Sequence, residues 1–204
     1  MTINYNVKAQ VVDITADILK VEDVFLVDTN VWFWMTYPTA GQSAQYYQMN
    51  AYPNYVSNAL GIGAKIYGTG LSLAELAHRI ETTEHSIYGS CVGAIDLKEY
   101  RHNLHSERSR IVSVVETAWA QVKSMSESLD VEVDNSTTTA AMNRFKSEKV
   151  DGYDLFFLES MKKHGVVQVI TDDGDFATVP DIQVFTANRN VITAARHQGK
   201  LLKR

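Results

Sequence analysis

Four acids stand out because each sits where an apolar run ends or a helix begins. They are Asp28 in Val-Phe-Leu-Val-Asp-Thr-Asn (24–30), Glu75 in Leu-Ser-Leu-Ala-Glu-Leu (71–76), Asp154 in Asp-Gly-Tyr-Asp-Leu-Phe (151–156) and Asp173 in Val-Ile-Thr-Asp-Asp-Gly-Asp-Phe (169–176). Carboxylate oxygens are the ligands that hard divalent cations such as Mg²⁺ and Mn²⁺ prefer. If the four converge, they form a cage for such ions, the core of a metal-dependent phosphodiesterase. Each acid also has an ordinary reading. Asp28 could start a turn or cap a helix. Ser72 and Glu75 have the spacing of a capping box. Asp154 suits a helix N-terminus electrostatically, and the Asp-Gly within 172–175 is a turn signal. Those separate readings leave the joint order unexplained: strand-Asp, helix-start Glu, helix-start Asp, strand-Thr-Asp-Asp.

The elements that must position these residues follow from hydrophobic patterning. Val24 to Val27 reads as a buried strand, as do Ala64 to Tyr67, Val166 to Ile170 and Ile182 to Phe185. Residues 1–23 read as a leader holding an edge strand or a helical turn. Residues 42–64 read as one or two helices broken near Pro53. Leu73, Leu76, Ala77 and Ile80 give helical spacing to Ser72 through Glu81. The longest helical pattern runs from about Ile95 to Leu129, with Leu104, Ile111, Val115, Ala118, Val122, Met125 and Leu129 on one seam and an interruption at Arg108. A seam that long needs a partner helix, from the same chain or a homodimer mate. Further helices are expected over 137–149 and 152–164, and the tail from Arg189 is helical or frayed. Strands separated by helices indicate an α/β fold, three layers with a mainly parallel central sheet flanked by helices. In such sheets the site forms at the carboxyl ends of the strands, where Asp28 and Asp173 would lie.

Bulk properties bound the rest. The chain has 204 residues and 45% hydrophobic content, enough for one domain with a proper core. The single cysteine, Cys91, reads as small core filler and favours a reducing compartment. Met1 to Gln10 carries no signal-peptide pattern, and no apolar run could span a bilayer. A cytoplasmic protein with no membrane partner is the expectation. The net charge of −5 argues against nucleic-acid binding unless metal neutralises the acids. Basic residues group at Arg101, His102, His105, Arg108 and Arg110, and again from Arg189 to Arg204.

The chain resembles the PIN-domain nucleases. The resemblance lies in the strand ending in Asp28-Thr29-Asn30, the Leu73-Ala74-Glu75-Leu76 helix, Asp154 opening a helix, and Thr171-Asp172-Asp173-Gly174-Asp175-Phe176 after a strand. It covers roughly residues 22–82 and 150–187. It implies a single PIN-like domain over 1–204 in which Asp28, Glu75, Asp154 and Asp173 hold Mg²⁺ or Mn²⁺. Asp175 would be an accessory acid. Thr29 or Asn30, and Thr171, would orient ligands and water. Asp172 competes with Asp173 for the fourth ligand position. A helical insertion at about 84–150 departs from the compact toxin branch. The activity implied is endoribonuclease cleavage of single-stranded RNA, with an antitoxin as a possible partner.

Other readings compete. A catalytically silent PIN-fold module could bind RNA or protein. A haloacid-dehalogenase-type phosphatase also begins with a strand ending in Asp, but wants an acid where Asn30 stands. Trp32, Phe33, Trp34 and Tyr37 could stack on bases at the rim, although core packing suits them better. Arg101, Arg108 and Arg110 are the expected RNA contacts, a solvated helix face being the plainer alternative.

Overall fold

The computed structural model describes residues 3–204. Seven strands form one sheet: β1 Gln10–Asp13, β2 Val24–Val27, β3 Lys65–Thr69, β4 Glu127–Leu129, β5 Gln168–Ile170, β6 Gln183–Thr186 and β7 Leu201–Leu202. Every pairing is parallel, and the order across the sheet is β4-β3-β2-β5-β6-β1-β7. The helices are α1 Thr29–Thr36, α2 Tyr46–Ile62, α3 Gly70–Val92, α4 Leu97–Asn103, α5 His105–Met125, α6 Asn135–Ser147, α7 Asp154–His164 and α8 Arg189–His197. The expected three-layer α/β architecture is what the chain adopts. Among the described residues no helix is long and apolar enough to cross a membrane.

Side chains alternate across a strand, so each apolar strand serves two cores. Phe25, Val27, Ile170 and Phe185 face one side, against α1, α2, α3 and α5. Leu26, Val169 and Val184 face the other, with Phe157, Leu158 and Met161 of α7 and Val191 and Ala195 of α8. Helix α1 is buried nearly all round, which places Trp32, Phe33 and Trp34 in the first core. Core packing is therefore their role, and they form no rim.

Several expected boundaries move. The long helical stretch is two helices, broken at Leu104 rather than at Arg108, and it ends at Met125. Residues 127–129 leave it to extend the sheet as β4, pairing Gly68 with Ser128. A Cβ at Gly68 would stand 3.1 Å from the Ser126 hydroxyl, so that side chain would have to shift slightly for a larger residue. The segment expected as a purely helical insertion thus contributes a strand. Ile111, Ala118 and Val122 of α5 are buried, and α5 packs against α1 and α3. That satisfies the seam within the chain and removes it as an argument for a homodimer. Helix α2 runs unbroken through Pro53. The leader strand β1 lies between β6 and β7 rather than at an edge, and the tail adds β7 after α8. Cys91 is exposed at the end of α3, so it fills no core.

Candidate functional site

Strand order fixes where a site can form. From β2 the chain moves to β3 and β4 on one side; from β5 it moves to β6 on the other. The neighbours β2 and β5 therefore flank the topological switch point, and the crevice lies beyond their carboxyl ends. Asp28 follows β2 directly, and Thr171, Asp172 and Asp173 follow β5. Helix α3 starts at that same edge after β3. Helix α7, running back toward the start of β5, begins there with Asp154.

Asp28 occupies the N-cap position of α1, yet its side chain makes no capping hydrogen bond. Its carboxylate instead accepts from Asn30 Nδ2 at 2.6 Å and from the Thr171 hydroxyl at 2.5 Å. The same Thr171 oxygen accepts the backbone N–H of Asp173 at 2.9 Å, so one hydroxyl spans both strand ends. Of the two side chains expected to orient Asp28, that of Asn30 bonds it, while the Thr29 hydroxyl is buried with no hydrogen-bond partner among the described residues and Thr29 reaches Asp28 through its backbone. The capping-box reading of Glu75 also fails. Helix α3 begins earlier than expected, with Thr69 as its N-cap accepting the Ser72 N–H at 3.3 Å. Glu75 is thereby left in the second turn, and its Oε2 is buried with no partner among the described residues.

The four acids act on one another. Burial raises the Asp28 carboxyl well above the usual range, and Glu75 and Asp173 raise it further against the Thr171 hydrogen bond. Burial likewise raises Asp154, reinforced by Asp28, Asp173, Glu75 and Asp151. Asp173 is raised by burial, opposed by the Asp175 N–H and aided by Asp151 and Asp172. Among the described residues, the charges that chiefly shift these three are other carboxylates. Asp175 is raised by burial and then by Asp173 and Asp151. Asp151, which motif order had not singled out, therefore belongs to the cluster. Its signal in the sequence was its position three residues before Asp154.

Hydrogen bonds set Asp172 and Asp173 apart. Asp172 turns toward α2, accepting Gln48 Nε2 at 2.6 Å, the Tyr52 hydroxyl at 2.5 Å and the Tyr47 hydroxyl at 3.0 Å. Its backbone carbonyl accepts Asn188 Nδ2 at 2.9 Å. Asp172 thus anchors the loop. Among the described residues the Asp173 carboxylate accepts only the Asp175 N–H, at 2.8 Å. Tyr47, Gln48 and Tyr52 were missed because nothing in an isolated Tyr-rich segment reveals a partner more than a hundred residues away.

The expected RNA-contacting arginines are committed elsewhere. Arg101 forks onto Glu81 at 2.5 and 2.8 Å, Arg108 joins the same carboxylate at 3.0 Å, and Arg110 binds Glu84 and Glu107, each at 2.7 Å. Glu81 and Glu84 are buried on α3. The guanidinium charge of this group is therefore matched by three carboxylates.

A hard divalent cation fits this donor set in kind: the donors are all oxygen, and Glu75 Oε2 is an unfilled acceptor. The spacing is open. Among the described residues no group of three or more His, Cys, Asp or Glu side chains is gathered closely enough to hold a metal ion. Burial is the first cause of the raised carboxyls, and repulsion between them adds to it. Comparison with family models, curated proteins and solved structures yields no match.

Proposed function

We propose that the crevice beyond β2 and β5 is a metal-dependent phosphodiesterase site acting on single-stranded RNA. The observation that carries this reading is a cluster at the switch point, buried Asp28 with half-buried Glu75, Asp154 and Asp173, in which the charges that raise Asp28, Asp154 and Asp173 are, among the described residues, those of other carboxylates. Buried like charges cost stability unless something binds them. The order of motifs, shared with the PIN-domain nucleases, supports the same chemistry.

Asp28, Glu75, Asp154 and Asp173 would hold Mg²⁺ or Mn²⁺, with Asp151 and Asp175 at the periphery. A divalent ion bound there would polarise the scissile phosphate and make a water nucleophilic near neutral pH. The chain's part is positioning. Asn30 and Thr171 fix the orientation of Asp28, and Thr171 ties that orientation to the Asp173 backbone. Asp172 holds the loop from behind through Tyr47, Gln48 and Tyr52, leaving Asp173 free to face the crevice. The buried setting strengthens each electrostatic contact by excluding water.

Cleavage of a labelled single-stranded RNA tests the proposal. Wild type should cleave with Mg²⁺ or Mn²⁺ and stop in EDTA. Asp154→Asn should lose at least about a hundredfold in rate, the scale of removing one preorganised electrostatic contact. Full activity in Asp154→Asn, or cleavage that survives EDTA, would refute it. The open spacing of the acids favours one second reading, a PIN-like module that binds RNA or protein without cutting it. Such a module would take up Mn²⁺ poorly in a direct titration.

A further inference from the structure

Acids at the mouth of a crevice repel a phosphate backbone, and the nearest arginine cluster is already paired. What the mouth offers instead is aromatic surface. Tyr46 opens α2 with 85% of its area exposed, and Tyr153 precedes Asp154 with 43% exposed. Tyr5 lies against the acid loop so closely that a Cβ on Gly174 would collide with its ring.

Topology brings these three tyrosines to the same edge as the acids. Tyr46 adjoins Tyr47 and Gln48, whose side chains bind Asp172. Tyr153 adjoins Asp154, and its loop carries Asp151, which acts on Asp154, Asp173 and Asp175. The Tyr5 phenol is raised by burial and then by Asp175, Asp173 and Asp172, which puts it beside the same loop. We propose that Tyr46, Tyr153 and Tyr5 form a stacking rim that grips unpaired nucleobases on either side of the phosphate offered to the carboxylates. This rests on the nuclease reading and supplies the affinity that the charges withhold.

Each ring is carried on fixed backbone. Helix α2 is pinned through Asp172. The Tyr153 carbonyl accepts the N–H groups of Phe156 and Phe157, both at 3.0 Å. The Gln198 side chain clamps the segment around Tyr5, donating to the Tyr5 carbonyl at 2.7 Å and accepting the Val7 N–H at 2.9 Å. Prepositioned rings lose little freedom on binding. Stacking of this kind tolerates any base, because every base has a flat face. It also excludes a duplex, whose bases are already stacked on each other. Binding through rings rather than lysines and arginines releases few counter-ions, so affinity should depend weakly on salt.

The test is anisotropy binding of labelled single-stranded RNA, single-stranded DNA and duplex in Mg²⁺, using the full chain with Asp154→Asn to suppress cleavage. Wild-type cleavage is measured beside it. Tyr46→Ala and Tyr153→Ala should each weaken single-strand binding by about 5- to 100-fold, the range of one base–aromatic stack. Tyr46→Phe and Tyr153→Phe should restore it, because the ring and not the hydroxyl is used. Phe145→Ala, with 55% of its area exposed on a helix that carries none of the acids, is the control and should change nothing. Unchanged binding in both alanine variants, equal affinity for duplex, a steep salt dependence, or no single-strand binding by the parent would each overturn the rim. Wild-type cleavage persisting in any of those cases would leave the nuclease reading standing.

Discussion

The molecule treats buried acids in two opposite ways. On the α3–α5 flank Glu81 and Glu84 are buried, and each meets an arginine: Arg101 and Arg108 at Glu81, Arg110 at Glu84. At the end of the chain Arg204 closes onto Asp17 at 2.7 Å and Asp23 at 2.6 Å, with all three side chains nearly inaccessible. At the switch point Asp28, Asp154 and Asp173 are raised by burial and by one another. The same chain can place a guanidinium on a buried carboxylate where structure requires it. The lack of such a partner among the described residues at one edge of the sheet is what supports the proposal that an external cation binds there.

The contrast breaks most visibly at Arg204. Arg204→Ala would strand two buried aspartates and should destabilise the protein by about 3–5 kcal/mol, the usual penalty for removing one member of a buried ion pair. Urea denaturation measures this directly, and a loss below about 1 kcal/mol would mean the cluster is solvated. On the α3–α5 flank the effect should be smaller, because the arginines there are partly exposed. Glu81→Gln should cost about 1–2 kcal/mol, the range of losing hydrogen bonds to a charged group. Its thermal midpoint should fall while metal-dependent cleavage per folded molecule holds.

The two kinds of acid should also separate by pH. Arg101 first, and then Arg108, hold Glu81 below the usual carboxylate range against its burial. Burial opposes ionisation of Asp23 and Glu84, but hydrogen bonds from Arg204 and Arg110 outweigh it and keep both low. Their stabilisation is present above the ordinary carboxylate range and is lost as pH falls through their lowered values. Asp28 and Asp154 run the other way. Their folded carboxyls hold the proton more tightly than the unfolded chain does. Metal-free protein therefore has that stabilisation at acid pH and loses it as pH rises through the raised values. Denaturation profiles in EDTA should fall on both sides of an optimum. Arg204→Ala should flatten the acid side, and Asp154→Asn the alkaline side. A profile in which Asp154→Asn flattens the acid side would contradict the assignment.

Much of this arrangement was legible in the residues alone. Phe25 to Val27 and Val169 to Ile170 are apolar because both strand faces are buried there, so strands carrying Asp28 and Asp173 could be read directly. What could not be read is where long-range partners sit. The apolar seam continues in register through Met125 to Leu129, yet residues 127–129 leave the helix to pair with β3. Arg101, Arg108 and Arg110 look like a cationic face until α3 brings Glu81 and Glu84 beneath them. Trp32 and Trp34 follow the first acid in sequence, but a helix crowded on all sides turns them into the core. Exposed aromatics came instead from Tyr46 and Tyr153, whose exposure depends on packing around two helix starts.

The claim that the switch-point acids await a cation has one direct measurement: melting temperature of wild type and Asp154→Asn, each in EDTA and in Mn²⁺. Without metal, Asp154→Asn relieves repulsion worth on the order of 1 kcal/mol and should melt at or above wild type. With Mn²⁺, wild type should rise by mass action and overtake the variant, which should barely move. Wild type unmoved by saturating Mn²⁺, together with an Asp154→Asn variant that melts lower in EDTA, would contradict the claim.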